Sequence, residues 1–150
     1  MINLLILTSS IFNSWSIQPT ISDNEGLYLP LGEKTCYYQE LKYKDEVYCI
    51  PEVPLIPVKH FKKISALRSA GPMDFFDVDI DKQGTKKLYL LQENLKGLSL
   101  AFVMNEEIIG MIELDDKNSS HQIRFYSVGF EAPLKEIHDH LETILKSKKD

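Results

Sequence analysis

Apolar and polar positions change period three times between residues 75 and 114. Phe76, Val78 and Ile80 alternate with Asp77, Asp79 and Asp81, the two-residue repeat that predicts a strand over 75–80. Leu88, Leu91 and Leu95 then keep to one face at helical spacing, predicting a helix over 82–94. Asp81 stands where a side-chain acceptor caps a first turn, and Gly97 where a left-handed residue ends a helix. Residues 99–104 and 107–114 predict two further strands, joined by a tight turn at Asn105 and Glu106.

The flanks follow the same rules. Residues 1–16 read either as a signal-peptide remnant or as an N-terminal strand: 4–12 are mostly apolar and Ser14 and Ser16 are small, but no Lys or Arg precedes them. Pro19, Gly26, Pro30 and Gly32 make 17–33 a loose lead-in with one short strand over 27–31. Residues 36–50 read as a β-hairpin, and Pro51, Pro54 and Pro57 as an extended connector. Val58, Phe61, Ile64 and Leu67 recur every three residues before Gly71 and Pro72, predicting a helix over 58–70. A loop over 115–120, a strand over 122–128 and a helix over 133–147 complete the chain, the last with Pro133 at its start and Leu134, Ile137, Leu141, Ile144 and Leu145 inward. The expected class is α+β: a mainly antiparallel sheet with helices on one face, preceded by a β-hairpin extension, in one domain over 17–150.

Composition fits this picture. The 150 residues are 43% hydrophobic and 26% charged, enough for one ordinary core. A net charge of −5 with interspersed signs argues against nucleic-acid binding, which needs clustered Lys and Arg. No apolar run approaches the roughly 20 residues of a membrane span. Cys36 and Cys49 flank the hairpin. A bridge between them closes a loop of about 14 residues, stabilises by roughly 3 kcal/mol and implies an oxidising compartment. Two separate buried thiols are the alternative.

The pattern over 76–114 resembles the head of the large extracytoplasmic domain of the SecD subunit of the protein-export machinery. Val78-Asp79-Ile80-Asp81-Lys82-Gln83-Gly84 matches its strand ending in an acidic residue and glycine. Asn94-Leu95-Lys96-Gly97-Leu98-Ser99-Leu100-Ala101-Phe102-Val103 matches its helix end and following strand. The family's Asp-Gly turn is Asn105-Glu106-Glu107 here, and its later Ala-Pro is Gly110-Met111. The resemblance implies the fold, an extracytoplasmic setting and contact with polypeptides.

No catalytic constellation accompanies it. His138 and His140 are two apart and point away from each other on a helix, unlike a zinc pair. No metal, cofactor, nucleophile elbow or phosphate loop is expected; Gly84 and Gly97 read as caps. Asp77, Asp79 and Asp81 read as a solvated strand face ending in a helix cap. Lys59, Lys62, Lys63 and Arg68 form a basic patch on the first predicted helix, either a solvated face or a site for an acidic partner. Tyr37, Tyr38, Tyr43 and Tyr48 crowd the hairpin, where tyrosines either pack on the sheet or anchor a protein interface. The expected function is a non-enzymatic cell-envelope module that binds a polypeptide client, periplasmic or extracellular; an immunity-type inhibitor of a toxin is the alternative.

Overall fold

The computed structural model describes residues 23–32, 36–94, 97–114 and 121–148. The expectations for 1–16 and for the loop 115–120 lie outside them. In chain order the first strands are β1 (Gly26–Tyr28), β2 (Gln39–Tyr43), β3 (Glu46–Ile50) and β4 (Ile56–Pro57). Next come β5 (Phe61–Ile64), β6 (Arg68–Ala70), β7 (Met73–Ile80) and the helix α1 (Lys82–Asn94). The strands β8 (Ser99–Met104), β9 (Glu107–Glu113) and β10 (Gln122–Tyr126) and the helix α2 (Leu134–Lys148) follow.

The α+β class is as expected, with every described strand pair antiparallel, but the sheet is divided. One sheet runs β4-β1-β8-β9, a second runs β10-β7-β5 with β6 also on β7, and β2-β3 is a hairpin. Helix α1 packs on β4 and β7, and α2 on β5 and β7. The main core joins both four-stranded sheets and both helices. Phe125 lies at its centre, 5.0 Å from the Phe76 ring, 5.3 Å from Phe102 and 5.7 Å from Phe130.

The helix expected over 58–70 does not form. Val58–His60 is a single 3-10 turn, β5 and β6 are strands, and Gly71 and Pro72 turn the chain into β7. The three-residue spacing has other sources. A 3-10 turn repeats every three residues, which puts Val58 and Phe61 on one side. A β-bulge between Phe61 and Lys63 then inserts Lys62 as an extra residue, so Phe61 and Ile64 both reach the core instead of alternating. The contacts that win are distant in sequence: Phe61 lies opposite Ile80 and Ile64 opposite Val78.

The hairpin precedes the two larger sheets as a separate pair, as expected, and it packs on one of them. On β8, Leu100, Phe102 and Met104 face the main core while Ala101 and Val103 face a second cluster. That cluster is closed by Tyr43 and Ile50 of the hairpin, with Tyr28 and Ile108. A strand buried on both faces explains the unbroken apolar run in β8, and the hairpin is the cover of its outer face.

Helix α1 begins as predicted. The Gly84 amide donates to Asp81 Oδ1 at 2.9 Å, and His60 Nδ1 lies 2.7 Å from Asp81 Oδ2. Burial alone would raise the Asp81 carboxyl; the amides of Gly84 and Gln83 and the His60 ring outweigh it and hold it below its ordinary range. Gly84 is no cap: a Cβ there would stand 2.0 Å from Ile80 Cγ2, so its role is close approach of α1 to β7. Gly97 has φ +86°, the left-handed conformation expected of it.

Candidate functional site

The disulfide organises the site. Cys36 and Cys49 are bridged, with Cα atoms 5.5 Å apart. Cys36 is not in the hairpin arm, because the cross-strand partner of Cys49 is Glu40. The bridge therefore fastens the segment ahead of β2 to β3. The Leu31 amide, donating to the Cys49 carbonyl at 2.8 Å, brings the end of the lead-in to the same place. Tyr37 and Tyr38 follow Cys36 directly, and their side chains stand in solvent, 83% and 56% exposed.

These two tyrosines border a cleft of about 920 Å³ that reaches down to β1 and β8. Tyr28, Ile50 and Val103 supply its apolar wall. Three carboxylates line it from three separate segments: Glu25 before β1, Glu52 after β3 and Glu106 in the β8–β9 turn. Among the described lining residues none is Lys, Arg or His. Glu25 is only 8% exposed. Burial pushes its carboxyl above the ordinary value, opposed by a hydrogen bond from the Asn105 amide and by His140 nearby.

The turn that carries Glu106 is strained. Asn105 and Glu106 have φ of +52° and +63°, and Met104 lies opposite Glu107, the pattern of a two-residue turn with both residues left-handed. Glycine is the favoured second residue of such a turn. A glutamate held there costs about 1 kcal/mol and presents a charge to the cleft.

The other tyrosines named from the sequence play a different part. Tyr43 is buried, and its hydroxyl donates to the Gly129 carbonyl at 2.9 Å. Tyr48 is half-buried against the second cluster and donates to Glu46 at 2.7 Å. Both are packing residues, so the site expected at the hairpin shrinks to Tyr37 and Tyr38.

The basic patch is dispersed once its helix becomes two strands. Lys59 lies 3.8 Å from Asp23. Arg68 stands over the Phe75 ring and near Asp77. Lys62 and Lys63, both turned outward by the bulge, join Lys82, Lys86 and His121 around a second cleft, where Asp79 and Asp81 make the charge mixed. The expected solvated carboxylate face also fails at Asp77, which is buried and held by Arg124 at 2.8 and 3.2 Å. That hydrogen bond, chief among its causes, raises the Arg124 pKa.

His138, Asp139 and Glu142 bring ligand-type atoms within 4.8 Å of one another. Their charges are already matched: Lys135 lies 2.7 Å from Asp139 and Lys146 lies 3.3 Å from Glu142, while His138 Nε2 is 2.8 Å from the Ser65 carbonyl. The group reads as an ion-pair network on α2. Among the described residues no helix is long and apolar enough to cross a membrane.

Sequence reasoning missed Glu25, Glu52, Asn105 and Glu106, which lie in connections with no shared motif. The one available signal was Glu106, a non-glycine in a turn that favours glycine. No protein-family model, no curated protein and no solved structure matches the chain.

Proposed function

We propose that this protein is a non-enzymatic, extracytoplasmic binding module that holds a segment of another polypeptide in the cleft beside the Cys36–Cys49 bridge. The observation that carries this reading is the exposure of Tyr37 and Tyr38 immediately beside a disulfide. Two large aromatic side chains in solvent, on backbone fastened to a strand, offer contact area with part of the ordering cost removed before binding. The bridge itself favours an oxidising compartment, periplasmic or extracellular. The SecD-head resemblance over 76–114 supports the same setting and the same kind of partner.

An immunity-type inhibitor of a toxin is the second reading. The three carboxylates of the cleft favour it, since they suit capture of one cationic surface. The two readings differ in selectivity: an inhibitor holds one partner tightly, a client binder holds many weakly. The test of the site is the Tyr37→Ala, Tyr38→Ala double variant, titrated with an unstructured polypeptide. Affinity falls by more than about tenfold, or 1.4 kcal/mol, with an unchanged melting temperature. Equal affinity for parent and variant sinks the site.

A further inference from the structure

We infer that the cleft selects a cationic side chain, arginine or lysine, of the bound polypeptide, with Glu25 as its buried counter-charge and Tyr37 and Tyr38 flanking it. The inference rests on the binding-module reading above and adds what the site recognises.

Three observations carry it. First, Glu25, Glu52 and Glu106 come from segments far apart in the chain yet line one cleft, with no Lys, Arg or His among its described lining residues. Second, Glu25 is only 8% exposed; the neutral Asn105 amide is its hydrogen-bond donor, and His140 lies near enough to favour its ionised form. Burial outweighs both of these and disfavours the charged form, so the cost of burying the carboxylate is incompletely compensated. An arriving guanidinium or ammonium removes that cost, so the free protein carries a built-in preference for a positive ligand. Third, Tyr37 and Tyr38 stand at the border with their rings in solvent. Aromatic faces attract a cation and pack against the aliphatic stem of Arg or Lys. Glu106 is kept in a left-handed conformation that glycine would adopt more cheaply, which places a third negative charge at the mouth.

A second cleft offers a contrast. The cleft at Lys62, Lys63, Lys82 and Lys86 also contains Asp79 and Asp81, and Asp81 is engaged by His60 and by Gly84. It has no comparable single sign, so it is the place where an acidic peptide is expected to go if it binds at all.

The probes are three short unstructured peptides of one sequence, with arginine, citrulline or glutamate at the central position. Citrulline keeps the shape of arginine and removes the charge. With the disulfide intact, the arginine peptide binds at least about tenfold tighter than the citrulline peptide, and the glutamate peptide binds weakest. The preference declines with added salt. Glu25→Gln, which keeps size and shape, abolishes most of the arginine preference and leaves citrulline-peptide affinity unchanged. Glu52→Gln, at an exposed position, reduces the preference partially and keeps the test valid if Glu25→Gln folds poorly. Equal binding of all three peptides overturns the cationic assignment and leaves the binding-module reading standing. Binding of none overturns both.

Discussion

The Tyr43 hydroxyl donates to the Gly129 carbonyl at 2.9 Å, joining the tip of the hairpin to the turn after β10 across 86 residues. With its ring buried in the second cluster, Tyr43 holds the hairpin against the outer face of β8. Tyr43→Phe removes the hydrogen bond and leaves a partly buried carbonyl short of its partner. It is expected to cost about 1 kcal/mol in urea unfolding, with peptide affinity unchanged. A variant as stable as the parent would show that the hairpin is held by apolar contact alone.

Protein prepared from an oxidising compartment should lose no thiol reactivity it did not have: intact mass rises by two hydrogens only after reduction. Reduction, or Cys36→Ser with Cys49→Ser, should lower stability by about 3 kcal/mol and weaken peptide binding, because Tyr37 and Tyr38 lose their anchor. Two free thiols in natively isolated protein contradict both the bridge and the compartment it implies.

Gly97→Val should destabilise by more than about 1 kcal/mol, since a β-branched residue is strained at the observed φ of +86°. Asp81→Ala removes the acceptor of the Gly84 amide and the partner of His60, and should cost about 1–2 kcal/mol. Thermal melts in which both variants match the parent would refute the boundaries of α1.

Glu25 sets a dependence on pH. Its carboxyl is raised by burial, with the Asn105 amide and His140 opposing, and with Glu52 and Glu106 lining the same cleft. A raised folded pKa means that the folded state holds the proton more firmly. Its stabilising contribution is therefore present below the ordinary carboxylate range and is lost as pH rises through the raised value. Glu25→Gln should match the parent in acid and become the more stable protein towards neutral pH, while losing affinity for a cationic peptide. A stability difference that does not grow with pH across this window contradicts the burial of the charge.

The stretch from 76 to 114 was legible because its signals are local: Asp81 caps, Gly97 takes the left-handed conformation, and the period of apolar residues changes with the element. The last helix was equally clear from Leu134 to Leu145. Residues 58–70 misled because a 3-10 turn followed by a bulge imitates helical spacing, and the pairing of Phe61 with Ile80 that decides the matter is not visible locally. Tyr43 and Tyr38 have similar neighbours in sequence, yet one is buried and one exposed. What separates them is the docking of the hairpin on Val103 and Ile108, a tertiary fact. The carboxylates of the cleft escaped for the same reason, since Glu25, Glu52 and Glu106 meet only in the fold.

Hydrogen–deuterium exchange with and without a bound arginine-containing peptide tests the central claim most directly. The account predicts slowed exchange at residues 25–28, 37–39, 50–52 and 103–106, the segments that form the cleft beside the disulfide. Slowed exchange confined to 62–63 and 82–86, around the lysine-lined cleft, would contradict it.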